Sequence, residues 1–209
     1  MPKTKTDRTK KNGKNSSRSR ILEVAVPLFA SKGYGNTGLR EIAKAADVNL
    51  AMINYFFGSK KALLKEILDI FFSGYLEVAR RELAGDDPFE VKIERFIHEA
   101  IHYFSSCTDY LLVTLSELYH DDPEILEHKA QWGRQMMEII GKVLSSNRSI
   151  ALPDSVPPVF FCSVLTSMMA SRFLFNPLMQ QVQPGITTER SISQYAQTIS
   201  AMFLHGITS

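Results

Sequence analysis

The chain has 209 residues, a hydrophobic content of 44%, two cysteines and a formal net charge of +2. That length suffices for one large cored domain or two smaller ones, and two cysteines are too few for a disulfide framework and suit a reducing cytoplasm. No apolar run approaches the ~18 residues needed to span a bilayer, and the basic start leads into no continuous apolar stretch of the kind a signal peptide carries.

Residues 1–18 are rich in Lys, Arg, Thr, Asn and Ser and hold no apolar residue beyond Met1 and Pro2. Such a composition predicts a disordered basic tail. A first helix is expected from Ser19 to Lys32, where Ile21, Leu22, Ala25, Leu28 and Phe29 recur at helical spacing. Gly33 follows it, the right residue for a left-handed C-cap. Pro27 lies inside this helix and predicts a kink or a locally reorganised turn.

Two short helical patterns come next. Leu39, Ile42, Ala43 and Ala46 fall at i, i+3, i+4 and i+7, with Thr37 placed to cap them. Val48, Met52, Ile53 and Phe56 then make one face of a second short helix. Neither helix can bury itself alone, so the pair reads as a helix-turn-helix packed on another helix, its second member built to enter a major groove. Charge supports this: residues 1–65 hold fourteen Lys and Arg against four Asp and Glu, a net of +10, whereas residues 66–209 hold ten against eighteen, a net of −8. The footprint for phosphate is confined to one end.

Ser59 is placed to cap a long fourth helix running to about Leu83, carried by Leu63, Leu64, Ile67, Leu68, Phe71, Tyr75 and Leu76. After the turn at 85–88, further helices are expected over roughly 89–106, 109–119 and 123–146, separated by Thr108-Asp109 and Asp121-Asp122-Pro123. Pro153, Pro157 and Pro158 mark a loop before a helix from Val159 to Phe175, which Asn176-Pro177 should end. In that helix apolar side chains occur on nearly every side and Arg172 is the only charge, so a large apolar strip would stay exposed on one chain. A last helix, about Glu189 to Leu204, carries a second stripe. The fold class is all-α, with about nine helices: a basic tail (1–18), a three-helix DNA-binding domain (19–65) and a helical body (66–209).

Catalytic readings are weaker. His98 and His102 stand at i, i+4 with Glu94 and Glu99 nearby, and His128 and Glu127 lie on a later helix, which looks like the ligand set of a metal-dependent enzyme. Yet Ile93, Phe96, Ile97, Ala100, Ile101 and Phe104 make the apolar face of that helix, and both histidines fall on its opposite side. No zinc spacing, phosphate loop or nucleophile pattern accompanies them, so no metal, cofactor or catalytic residue is expected. A basic-tailed interaction protein is a further alternative, but the tail lacks the apolar face that membrane insertion needs.

Over residues 20–68 the chain resembles the tetracycline-repressor (TetR) family of bacterial transcription regulators. ILEVAVPLFASKGY is similar to the family's first helix, TGLREIAKAADVN to its second helix and turn, and LAMINYFFGSKKALL to its recognition helix and the start of its fourth. The resemblance implies a cytoplasmic, nine-helix homodimer that binds a pseudo-palindromic double-stranded DNA operator through helices 1–3. It also implies that the last two helices pair across the two-fold axis, and that a small-molecule effector in the body changes the spacing of the two readers.

Carried over by position, Thr37 matches a cap that touches phosphate, and Arg40 a position that reaches base or backbone. Asn49, Leu50, Ala51 and Met52 match the base-facing start of the recognition helix, with Asn49 suited to adenine and Ala51 and Met52 to a thymine methyl. Asn54 and Tyr55 match base or backbone contacts, and Lys60 a lysine that grips phosphate. Two positions depart from the pattern: Asp47 replaces the usual turn glycine, and Phe56 stands where histidine is common. Family analogy places an apolar effector pocket in the body, with Tyr103, Tyr110, Trp132, Met136, Met169 and Phe173 as its expected lining and a hydrophobic or amphipathic molecule as its ligand.

Overall fold

A computed structural model describes residues 5–117, 122–146, 157–185 and 188–207. Asp121 and Pro153, named above as turn and loop residues, and the first four residues of the tail lie outside the described residues. Among the described residues there are nine α-helices and no strand: α1 (Lys5–Lys32), α2 (Leu39–Ala45), α3 (Leu50–Phe57), α4 (Lys60–Glu82), α5 (Phe89–Ser106), α6 (Thr108–Ser116), α7 (Pro123–Ser146), α8 (Pro158–Val182) and α9 (Glu189–Ile207).

Local signals account for most boundaries. Gly33 (φ 82°) closes α1 with its N–H on the Phe29 carbonyl, 2.9 Å away. Asp47 takes the turn between α2 and α3 with φ 50°, the left-handed geometry that Asp adopts more readily than most residues. The Ser59 hydroxyl accepts the Ala62 N–H at 3.1 Å and so caps α4. α1 runs unbroken through Pro27; Pro27 and Glu23, whose carbonyl loses its partner, are both exposed, so water can satisfy it.

Three expectations are corrected. α1 begins at Lys5, so residues 5–18 continue the first helix; adding residues to a helix already nucleated on Ile21, Ala25 and Phe29 is far cheaper than starting one. α8 does not end at Asn176-Pro177 but passes through Pro177 to Val182; this proline too lies on an exposed side, where the carbonyl it frees can be hydrated. By length and composition alone α8 is also apolar enough to cross a membrane, because its polar residues are mostly uncharged and scattered. Five of its apolar residues, Phe161, Leu165, Met169, Ala170 and Phe173, are nonetheless buried against protein.

The chain divides into two compact units, residues 1–71 with 109–126 and residues 72–108 with 127–209. The boundary expected after residue 65 therefore falls after Phe71, and the first unit gains a second segment. Ion pairs link its two segments: Lys61 pairs with Asp122 at 2.6 Å and with Glu124 at 2.9 Å, and Lys65 with Glu124 at 2.5 Å. In the first unit α1, α2 and α3 pack around Ile21, Ala25, Phe29, Ile42 and Ile53, all fully buried. In the second, α5 is the central helix and packs on α8 and α9. Phe161 meets Phe89 and Phe203 with ring centroids 6.3 and 5.1 Å apart, and Phe104 meets Phe173 at 6.1 Å.

Candidate functional site

α3 is only eight residues long and cannot hold itself. Two devices fix it. The Asn49 side-chain oxygen accepts the Met52 N–H at 2.9 Å, an N-cap, and Gly58 closes the other end with φ 78° and its N–H on the Asn54 carbonyl. Ile53 and Phe57 face inward and are buried, as core aromatics and aliphatics should be. Ala51, Asn54 and Tyr55 are exposed, and their spacing of three and four residues puts them on one outward face. Tyr55 is 68% exposed, with its ring edge-on to Phe56 at 5.1 Å. Leu50 and Met52 are half-buried and contribute less to that face. On α2, Arg40 and Lys44 are exposed one turn apart.

Two expected contacts change role. Thr37 neither caps α2 nor reaches solvent: it is 1% exposed, and its hydroxyl donates to the carbonyls of Gly33 at 2.9 Å and Leu28 at 3.3 Å. The tight turn from Tyr34 moves the N-cap position on to Gly38, and Thr37 locks that turn onto the end of α1. The Asn49 side-chain oxygen is engaged by the cap, which fixes the direction in which its amide points. Each holds the reader in place.

Around this face the cations are positioned rather than loose. The Lys60 ammonium lies 4.2 Å from the centre of the Tyr34 ring and donates to the Gly35 carbonyl at 3.4 Å, and partial burial lowers its pKa. Burial also raises the pKa of Tyr34, whose hydroxyl therefore stays protonated. Arg20 donates to the Asp47 carbonyl at 3.3 Å, bracing the left-handed turn from α1. Arg18 pairs with Glu66 and stacks over the Phe57 ring at 5.5 Å. Neither arginine was singled out from the sequence, because basic residues beside a basic tail carry no distinguishing local signal.

The second unit carries an open-mouthed cavity of about 360 Å³, with Gly133, Val159 and Ser163 exposed at its rim. Phe72 and Trp132 lie along it nearly parallel, ring centroids 6.0 Å apart and planes 16° apart, with Tyr75, Met136 and Met137. α8 supplies Cys162, Ser163 and Thr166, and the Tyr75 and Thr166 hydroxyls hydrogen-bond each other at 3.3 Å. Of the expected lining, Trp132 and Met136 are here. Met169 and Phe173 are instead buried core, and Tyr103 lies against Gly74, where a methyl group would collide with its hydroxyl. Tyr110 belongs to the first unit. An apolar helix does not announce which of its faces meets a void, so these could not be sorted from the sequence. Burial pushes the Cys162 thiol up to about 11, so it stays protonated at neutral pH. His98 is half-buried and His102 exposed on the side of α5 away from its buried apolar face. Among the described residues no three His, Cys, Asp or Glu side chains gather as a metal site would require.

Residues 21–67 match the family model described as bacterial regulatory proteins, tetR family. YttP of Bacillus subtilis (strain 168), an HTH-type transcriptional regulator by name, is 47% identical over 62 residues, 30% of each chain. The chain thus spans less than half the length of the curated relatives it matches. The ketosteroid transcriptional regulator KstR2 of Mycobacterium tuberculosis superposes over 92% of this chain and 95% of its own, with TM-score 0.73 and 18% identity. FadR of Bacillus subtilis, solved in complex with stearoyl-CoA, does so over 91% and 99%, with TM-score 0.72 and 15% identity. These two likenesses concern the fold.

Proposed function

We propose that the chain, whose residues 21–67 match the tetR family model, is a ligand-responsive transcriptional regulator of the cytoplasm, a repressor that binds a pseudo-palindromic operator as a homodimer and lets go when a small hydrophobic effector fills the second unit. It acts by binding and not by catalysis. The observation that carries the reading is the construction of α3: a capped, buried-backed helix whose outward face is Ala51, Asn54 and Tyr55, flanked by Arg40, Lys44 and Lys60. Small and polar residues on the outside let a helix seat deep in a major groove, and the cations around them hold the phosphates that set register.

The dimer is assigned to α8 and α9. Phe160, Val164, Leu174, Phe175, Leu178 and Val182 of α8 are each at least half exposed, as is Met202 of α9. Such a strip on one chain needs cover. A second copy of the same two helices covers it symmetrically, making a four-helix bundle and giving two readers the two-fold relation a palindrome demands. The cavity beside Trp132 supports the effector role.

Footprinting on the DNA upstream of the gene tests this. A protected pseudo-palindrome, bound with a steep salt dependence that flattens in Lys60→Ala, is the expected result. Equal affinity for random DNA would sink it.

A further inference from the structure

The cavity of the second unit says more about its occupant than that it is apolar. No residue along it carries a charge. A carboxylate, phosphate or ammonium pressed against these walls would shed its hydration with no opposite charge to receive it, a cost that disfavours ligands charged at their buried end. The walls are instead aromatic faces and thioethers: Phe72 and Trp132 nearly parallel, with Met136 and Met137. Flat aromatic molecules match such faces, and methionine adapts around them. One polar spot interrupts the apolar surface, the Tyr75–Thr166 hydroxyl pair, while the Ser163 hydroxyl is turned back onto the Phe160 carbonyl at 3.1 Å. Size narrows the class further. A dry cavity of about 150 Å³ takes a benzene, so one of about 360 Å³ takes two or three rings.

Resting on the regulator reading above, we propose that the effector is an uncharged molecule of two or three aromatic rings with a single hydrogen-bonding group, which it presents to Tyr75 and Thr166. The thiol of Cys162, held protonated by burial, is consistent with non-covalent capture.

Trp132 is the chain's single tryptophan and lines the cavity, so its fluorescence reports occupancy directly. The test uses one ring framework with and without charge: N-phenyl-1-naphthylamine, 8-anilinonaphthalene-1-sulfonate, and the corresponding sulfonamide as a neutral control for size. Both neutral probes should quench Trp132 saturably, and the sulfonate should bind at least about tenfold more weakly. Thr166→Val should weaken the amine about fivefold. Cys162→Phe, which fills the space, should abolish quenching in a protein that still melts cooperatively. Sulfonate binding as tight as the sulfonamide, or displacement of the amine by dodecanoate, overturns the proposal, as does quenching that survives in Cys162→Phe. The wild-type comparison stands whether or not the variants fold. If no probe touches Trp132 while the same preparation binds its upstream DNA specifically, the ligand class fails and the regulator reading survives. Probe binding without any specific DNA binding is the reverse result.

Discussion

α3 and α8 expose opposite kinds of surface. α3 keeps Ile53 and Phe57 inside and shows Ala51, Asn54 and Tyr55; α8 keeps Phe161, Leu165 and Met169 inside and shows Phe160, Val164, Leu174 and Phe175. A surface of the first kind is comfortable in water and can meet its partner and leave again, because polar groups merely trade one set of hydrogen bonds for another. The second kind is costly to leave open, at roughly 25 cal/mol for each Å² of apolar area, and so calls for a lasting partner. On the proposed reading, reversible and permanent association thus belong to separate helices.

The largest expected effect breaks the permanent side. Val164→Asp with Leu174→Asp places two charges on the exposed strip, where neither residue belongs to the core of its own unit. Sedimentation should show a folded monomer, and operator affinity should fall by about 100-fold or more as the second half-site is lost. A dimer that survives both charges, with affinity intact, would mean that α8 is not the interface. Next, Asn49→Ala removes the cap from the reversible side and should cost about 1 kcal/mol. Binding should weaken evenly across operator sequences, read by competition with single-base variants. A loss confined to one base position would restore Asn49 as a reader and break the contrast between holding and reading.

A third effect is smaller and depends on pH. Hydrogen bonds from Lys61 to Asp122 and from Lys65 and Lys61 to Glu124 hold both carboxyls below their usual values. A depressed folded-state pKa gives stability that is present above the unfolded-state value and is lost as pH falls through the folded one. The melting temperature of wild type should therefore exceed that of Lys61→Met at neutral pH, and the gap should close below about pH 4. The pair is exposed, so the gap is slight. A gap that stays constant with pH would assign the difference to something other than the ion pairs. Last, Asp47→Gly removes a side chain from a left-handed turn and should raise stability by up to about 0.5 kcal/mol in a thermal melt without altering affinity. Lower affinity at unchanged stability would show that Asp47 serves the DNA face and not only the turn.

The two units also differ in how far the sequence discloses them. In the first, short-range chemistry decides the outcome: Gly33, Asp47 and Ser59 each do locally what their residue types suggest. The exceptions there are residues answering to distant neighbours. Thr37 looks like a cap because it precedes an apolar run, but its hydroxyl belongs to the end of α1, and the Lys61–Asp122 pair spans a separation no periodicity can reveal. In the second unit the helices were legible, and so was the apolar face of α5, but the sides of the helices that line the cavity were not. Tyr75 and Thr166 come to the cavity while Met169 and Phe173 go to the core. α8 is apolar nearly all round, so only packing against α5 and α9 settles which side turns inward.

Gly74 carries a lesson for anyone engineering this protein. It sits in the interior of α4, where replacing glycine by alanine ordinarily adds up to about 1 kcal/mol and ranks among the safest stabilising changes. Here the Tyr103 hydroxyl occupies the volume that the new methyl would need. The substitution that helix propensity recommends first would therefore force the Tyr103 side chain to move, so its net effect is not the one that propensity ranks.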